Sequence, residues 1–353
     1  MKEKVVFTGG GTAGHVMPNV ALFPYFEDYD VHYIGSLGME KNIISAYDFV
    51  TFHEIPCVKL IRSTSLKNLL IPIKLGLAVK RAQYVLKMLA PRFVFSKGGY
   101  VGLPVAIACN RLGIPLFLHE SDKTVGLANK LAKNHAQVLF TAFDTIKYKN
   151  AQYVGSPIRK DIYSGSAIRA IHMLNAQKNS KPFLLFVCGS SGAVSINDFV
   201  FSNLDTLTKR YNVIHVTGNG EKRIYTKKDY YQIPYAHNLQ DLYALASFVV
   251  TRGGANSLSE LIALKKPCVC IPLEKATRGD QIENAKYYES KGALIHLPQS
   301  SLSIDSLFSS LDLLSKNRAD YIRAMSELNV DGTKAIVETI RKRMEILAKD
   351  HEF

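Results

Sequence analysis

No CxxC pair occurs anywhere in the 353 residues, and the five cysteines, Cys57, Cys109, Cys188, Cys268 and Cys270, are scattered. An odd number, four of them in apolar runs, argues against a disulfide framework. Such thiols pack as small hydrophobes, and a reduced compartment is expected. Cys268 and Cys270 share one face of the run CVCIPL, but no His or Cys lies nearby in sequence to complete a metal site. Long apolar runs are missing too. The longest uncharged stretches fall far short of the roughly 20 residues that a membrane span needs. The start, MKEKVVFTGG, lacks the apolar region of a signal peptide, so the chain is expected in the cytoplasm. There is no disordered tail, no low-complexity tract and no repeat at solenoid spacing.

A further absence is local. Between Glu54 and Glu120 there is no acidic residue, while Lys59, Arg62, Lys67, Lys74, Lys80, Arg81, Lys87, Arg92, Lys97 and Arg111 fall inside, in a chain of net charge +14. Leu66, Leu69, Leu70, Ile71, Ile73, Leu75 and Leu77 are interleaved with them. Basic residues among bulky aliphatics suit an anionic lipid surface, where each charge is worth about 1 kcal/mol. The alternative is a solvated helical face over a domain core. Nucleic acid is not expected as a partner, because no stacking platform or recognised motif accompanies the charge.

What is present is a 47% hydrophobic chain longer than one core usually sustains, so two domains are expected. Short β-rich runs alternate with helical patterns, the mark of parallel sheets covered by helices. Strands are expected at Val5–Thr8, Val31–Ile34, Arg92–Phe95, Pro115–His119, Val138–Thr141 and Gln152–Val154. After a polar stretch around Ser164–Lys181 they resume at Phe183–Cys188, Val213–Thr217, Phe248–Thr251, Pro267–Ile271 and Ala293–His296. Helices are expected between them, for example over His15–Phe26, Ala193–Lys209 and Asn256–Leu264, with a charged helix at Thr333–Lys349. The fold class is therefore α/β, two doubly wound Rossmann-like domains with a cleft between them. The boundary is placed at 158/159, with room for the last helix to pack back on the N-terminal domain. Ligands in such sheets bind at the carboxyl ends of strands.

Three glycine-rich loops fall at such ends: Gly9-Gly10-Gly11-Thr12-Ala13-Gly14-His15, Lys97-Gly98-Gly99-Tyr100 and Cys188-Gly189-Ser190-Ser191-Gly192-Ala193. Glycines there let backbone N–H groups approach an anion at a helix N-terminus. One such loop would be a simple tight turn; three, split across both halves, argue for a site that holds phosphates. The first is neither a Walker loop nor a GxGxxG turn. Arg159, after Gly155-Ser156-Pro157-Ile158, could pair with a diphosphate in bidentate fashion, though taken alone it reads as a surface arginine beside a turn proline. In Thr251-Arg252-Gly253-Gly254-Ala255-Asn256-Ser257-Leu258-Ser259-Glu260 a helix begins with Asn256 or Ser257 as its cap. Glu260 either completes a capping box or accepts ribose hydroxyls. Asp280 and Gln281 suit sugar hydroxyls, and His119-Glu120-Ser121-Asp122 places ionisable groups at a strand end.

The collinear set GGGTAGHVMPN, SKGGYVGLP, LHESDKTVGLANK, GSPIR, CGSSGA, TRGGANSLSE and GDQIENA resembles the MurG family, in the wording of Gram-positive cocci. These are the peptidoglycan N-acetylglucosaminyltransferases that make the lipid-linked disaccharide of bacterial cell walls. The resemblance implies a GT-B fold and an inverting transfer from UDP-N-acetylglucosamine to the C4 hydroxyl of a muramyl sugar on undecaprenyl-diphosphate, at the cytoplasmic face of the membrane. It places the donor diphosphate on Ser190 and Arg159, and the ribose on Glu260. The turn Ala255, Asn256, Ser257, Leu258 and Ser259 would run along the nucleotide. Gln281 would meet the sugar hydroxyls and Ala236 the uracil, while Thr12, Ala13 and Gly14 would line the cleft. The acceptor diphosphate would meet Gly11, Gly98, Gly99 and Tyr100, and the lipid the basic, apolar patch. Four positions depart from the family's wording: Asp122 and Ser156 each stand for Asn, Ser191 for Gln, and Asp280 for Gln or His.

An inverting transfer needs one base, and stabilisation for departing UDP. His15 is the first choice, because imidazole titrates near neutrality; Glu120 and Asp122 are rivals. Neither a cofactor nor a metal is expected. The only DxD, Asp28-Tyr29-Asp30, precedes a strand rather than following one. Competing readings are a diacylglycerol glycosyltransferase of the same fold, a UDP-N-acetylglucosamine epimerase, and a catalytically silent binding subunit.

Overall fold

The computed structural model describes residues 2–57, 71–177, 179–189, 192–274 and 279–350. Expectations resting on Lys59, Arg62, Lys67, Ser190 and Ser191 fall outside the described residues. The chain divides into two compact units, Met1–Arg159 with Asp331–Phe353, and Lys160–Val330.

The first unit runs β1 (Lys4–Thr8), α1 (Ala13–Leu22), β2 (Asp30–Gly35), α2 (Met39–Ile44), β3 (Val50–Glu54), α3 (Ile71–Leu89), β4 (Phe93–Ser96), α4 (Gly99–Leu112), β5 (Leu116–Glu120), α5 (Leu127–Ala132), β6 (Val138–Thr141) and β7 (Ala151–Tyr153). Its sheet is wholly parallel, ordered β3-β2-β1-β4-β5-β6-β7. Burial on both faces explains the runs of β-branched and aromatic residues. Alternate residues serve opposite faces. Val5, Phe7, Phe93, Phe95, Phe117 and Phe140 enter one core cluster, while Val6, Val94, Leu118 and Leu139 enter the other with α3 and α4.

The second unit contains α6 (Ala167–Leu174), β8 (Phe183–Val187), α7 (Val194–Ser202), α8 (Leu204–Arg210), β9 (Asn212–Val216), β10 (Tyr230–Ile233), α9 (Leu239–Leu245), β11 (Phe248–Thr251), α10 (Ala255–Ala263), β12 (Cys268–Cys270), α11 (Asp280–Ser290), β13 (Ile295–His296), α12 (Ile304–Lys316) and α13 (Arg318–Ser326). Its parallel sheet is ordered β10-β9-β8-β11-β12-β13. The chain then returns. Gly332 N–H donates to the Ser156 carbonyl at 2.9 Å, and Ile158 N–H to Thr333 Oγ1 at 2.8 Å. From there α14 (Thr333–Asp350) buries Ile336, Val337, Ile340 and Met344 in the first unit's core. Each such side chain contributes roughly 1.5–3 kcal/mol. By this division residues 331–350 group with the first unit, and so does Arg159.

Each sheet has one switch point. In the first unit the chain winds outward from β1 to β3 and restarts at β4 on the other side of β1; in the second it winds outward from β8 to β10 and restarts at β11. Neighbouring loops diverge there and leave a crevice at the strands' carboxyl ends. All three glycine loops, and Arg252-Gly253-Gly254, emerge from these four strands.

Candidate active site

At the first switch point the two glycine loops meet backbone to backbone. A Cβ on Gly99, whose φ is +74°, would stand 2.7 Å from the Gly10 carbonyl oxygen and 3.6 Å from the His15 ring. A Cβ on Gly11 would strike the Tyr100 ring at 2.5 Å. His15 thus lies beside Gly99 and Tyr100 beside Gly11. Thr12, Ala13 and Gly14 lead into the first turn of α1, where Thr12 Oγ1 and His15 Nδ1 are 3.0 Å apart. In the tautomer whose Nδ1–H donates to Thr12 Oγ1, the basic lone pair is on Nε2.

Beneath the first loop lies Glu40 of α2, fully buried and absent from the sequence-based candidates. Its carboxylate accepts from Ser36 N–H at 3.1 Å and from Gly11 N–H at 3.4 Å. An anion at Gly11 would have to displace that long contact.

The end of β5 is tied to the second loop. Lys97, 3% exposed, donates from Nζ to His119 Nδ1 and to Ser121 Oγ, both at 2.5 Å. His119 Nε2 lies 2.8 Å from the Gly155 carbonyl, which can only accept, so the proton is on Nε2. Burial, reinforced by the Lys97 cation, holds the His119 pKa well below the ordinary value, keeping the ring neutral. Burial also brings the Lys97 ammonium down to about 7, against the pull of Glu120 and Asp122. Glu120 accepts from Gly126 N–H at 2.8 Å, Asn129 Nδ2 at 3.0 Å and Asp122 N–H at 3.2 Å. Burial and the Asp122 charge push its pKa up, while those three donors hold it back.

In the second unit a cavity of about 500 Å³ is lined by Cys188, Gly192, Ala193, Val194, Ser195, Asp198, Arg252, Leu273 and Gln281. Gly192 has φ +71°, and a Cβ there would sit 2.0 Å from the Thr217 carbonyl oxygen. The Arg252 guanidinium is buried, donating to Gln299 Oε1 (2.6 Å), Ser195 Oγ (2.9 Å) and the Ile271 carbonyl (3.2 Å). Leu273 N–H fixes the Gln281 amide through Oε1 at 2.9 Å. The expected cap at Asn256 or Ser257 is corrected: Gly254 is the N-cap of α10, without a side-chain cap bond. Helix α10 already begins at Ala255, so Glu260 stands in the second turn, too deep for a capping box.

Ala236 follows β10 and precedes α9, and Arg159 ends the first unit half-buried. The DxD stands at the amino end of β2, where Asp28 pairs with Arg341 at 3.6 Å and Asp30 with His32 at 3.2 Å. Among the described residues no group of three or more His, Cys, Asp or Glu is placed to hold a metal ion. Sequence reasoning missed Lys97, Arg252 and Asn129 as site residues. The available signal was a cation immediately before two glycines at a strand end.

Two Rossmann-like units, each with glycine loops at its switch point, have the architecture of the GT-B glycosyltransferases. Residues 5–141 match the glycosyltransferase family 28 N-terminal domain and residues 183–340 its C-terminal domain. The UDP-N-acetylglucosamine--N-acetylmuramyl-(pentapeptide) pyrophosphoryl-undecaprenol N-acetylglucosamine transferase of Clostridium botulinum (strain Loch Maree / Type A3) is 40% identical over 352 residues, 96% of this chain and 99% of the relative. The protein of the same name from Clostridium tetani (strain Massachusetts / E88) is 38% identical over 354 residues, 97% and 98% of the two chains. The crystal structure of Acinetobacter baumannii MurG superposes with TM-score 0.75 at 22% identity over 96% of this chain and 99% of that one, a likeness of fold. The chain belongs to glycosyltransferase family 28 and, within it, to the MurG family.

Proposed function

We infer that this enzyme transfers N-acetylglucosamine from UDP-N-acetylglucosamine to the C4 hydroxyl of the muramyl sugar of undecaprenyl-diphosphate-linked muramyl-peptide. The observation that carries the reading is identity of 40% along essentially the whole of relatives named for that transfer. His15 takes the hydroxyl proton on Nε2, the freed oxygen attacks the anomeric carbon from the face opposite UDP, and the bond to the β-phosphate breaks. Asp122 is the alternative base. Glu120 is better used as a loop brace, since protonating it would forfeit charge-assisted bonds worth roughly 1.5–3 kcal/mol each. Ser190 and Arg159 meet the donor diphosphate, Glu260 the ribose, Ala236 the uracil and Gln281 the sugar hydroxyls, with Ala255–Ser259 along the nucleotide. The acceptor diphosphate lies at Gly98, Gly99 and Tyr100, flanked by Gly11, Thr12, Ala13 and Gly14.

The lipid end of the acceptor calls for a membrane surface. No described helix is long and apolar enough to cross a bilayer. Helix α3, however, exposes Ile73, Leu77, Tyr84 and Met88 beside Lys74, Lys80, Arg81 and Lys87. That composition supports docking on anionic lipid at the cytoplasmic face.

Acceptor dependence of UDP release tests the reading. Release from UDP-N-acetylglucosamine should require the lipid-linked muramyl-peptide. Release with diacylglycerol instead, or conversion of the donor without acceptor, would favour the glycolipid synthase or the epimerase.

A further inference from the structure

Two buried cations occupy equivalent places in the two sheets. The strand across each switch point ends in a hydroxyl residue, a cation and two glycines: Ser96-Lys97-Gly98-Gly99 after β4 and Thr251-Arg252-Gly253-Gly254 after β11. Arg252 is met by the neutral acceptors of Gln299, Ser195 and Ile271. Lys97 likewise bonds neutral groups, but it reaches across to the neighbouring strand end, where two carboxylates face it, against the single Glu274 that faces Arg252. From β5 the titratable groups facing it are His119, Glu120 and Asp122. From the first loop Gly9 lies against it, with His15 beyond, next to Gly99; from α5 the polar neighbour of the second loop is the neutral Asn129.

Two physical costs meet here. A buried ammonium and a buried carboxylate are each expensive alone and tolerable together. The neutral His119 ring, its Nε2 proton given to Gly155, also needs a donor at Nδ1, and Lys97 is that donor. An apolar residue at 97 would leave His119 Nδ1 and Ser121 Oγ without the Lys97 donor and the acidic pair without its cation.

We propose that Lys97 is a positioning residue for the acceptor side of the reaction: its ammonium locks the His119–Asp122 turn against the Gly98-Gly99 loop and balances the carboxylates of Glu120 and Asp122. The proposal rests on the transfer reaction inferred above. Glu120 is the buried carboxylate of the two and Asp122 the half-buried one, and Lys97 serves both. A consequence follows from charge: Lys97 loses its proton as pH rises through about 7 in the free enzyme, so acceptor kcat/KM declines on that side.

The test compares acceptor kcat/KM across about pH 6–9 for wild type, Lys97→Arg, Lys97→Met and the double variant Lys97→Met/Asp122→Asn. Lys97→Met should lose about tenfold or more near pH 6, with the gap narrowing above pH 7 as the wild type loses the same charge. The double variant should recover the part of that loss that comes from the Asp122 charge, and Lys97→Arg should lose the alkaline decline. Asp122→Asn alone is the control for Asp122 acting as the base: where it keeps turnover, a double variant no better than Lys97→Met overturns the pairing, and where it does not, the lysine titration decides. If Lys97→Met fails to fold, Lys97→Arg decides alone, and an alkaline decline unchanged from wild type overturns the proposal. Lysine side-chain NMR titration gives a readout independent of activity. One lysine should titrate near neutrality in wild type and vanish from the spectrum of Lys97→Arg; no such lysine overturns the proposal. Absence of any wild-type transfer product would instead sink the functional reading, with the titration still judging Lys97.

Discussion

His15 owes its place to three neighbours: Thr12 turns the ring, Gly99 leaves room for it, and the first turn of α1 fixes its backbone. That arrangement makes a specific demand on kinetics. His15→Ala should lower kcat by about 10²–10⁴-fold, the usual cost of removing a general base, while the KM for UDP-N-acetylglucosamine changes little. Near-normal turnover would pass the role to Asp122. At the same scale, Asp28 and Asp30 are occupied by Arg341 and His32 far from the strands' carboxyl ends. Asp28→Ala and Asp30→Ala should each keep kcat within about twofold, and excess chelator should leave activity standing. Loss of activity in either variant, or on chelation with recovery on adding manganese, would mean the leaving group is met by a metal.

Among the elements, α3 carries the clearest demand. One stripe, with Ala78, Ala82, Val85, Leu86 and Leu89, is buried in the core, while the remainder shows apolar and basic residues together. Not every basic residue of the acid-free segment belongs to that surface: Lys97 is buried and Arg92 pairs with Glu3 at 3.2 Å. Lys74→Glu, Lys80→Glu and Arg81→Glu combined should abolish sedimentation with anionic vesicles yet preserve transfer to a water-soluble acceptor analogue. For wild type the binding should weaken as the screening length falls from about 10 Å at 0.1 M salt to about 3 Å at 1 M. Equal sedimentation of both proteins would return α3 to the role of a solvated domain face.

The elements also show what a sequence reveals. Central strands such as β1, β5 and β11 are buried on both faces and read as short apolar runs, so their positions were legible to within a residue or two. Edge strands β3 (VTFHE) and β10 (YYQI) are half-exposed, carry mixed sequences and were not foreseen. The span expected as one helix over 193–209 breaks at Asn203, whose ψ of 15° interrupts α7 before α8. Glycine loops were legible because backbone approach requires glycine. The grip of Lys97 on His119 and Ser121 was not, since it joins residues 22 and 24 positions apart through the sheet.

For the whole molecule, sequence order and core membership part company at the end of the chain. Ile340 lies near the C-terminus but is fully buried with Phe7 and Phe95, whereas Leu311 belongs to the second unit's core. Ile340→Ala and Leu311→Ala should each cost roughly 2–5 kcal/mol, in different units. Calorimetry should show each variant lowering a different transition, with donor binding protecting the one that Leu311→Ala lowers. Both variants lowering the same transition would contradict the division.

The account's central claim is an inverting transfer onto a muramyl C4 hydroxyl, with a single base opposite the leaving UDP. The most direct measurement is the linkage in the product, read by NMR after incubating the enzyme with UDP-N-acetylglucosamine and the lipid-linked muramyl-peptide. The account predicts a β-anomeric N-acetylglucosamine attached at C4 of the muramyl sugar. An α-anomer, or attachment at any other position, would contradict it.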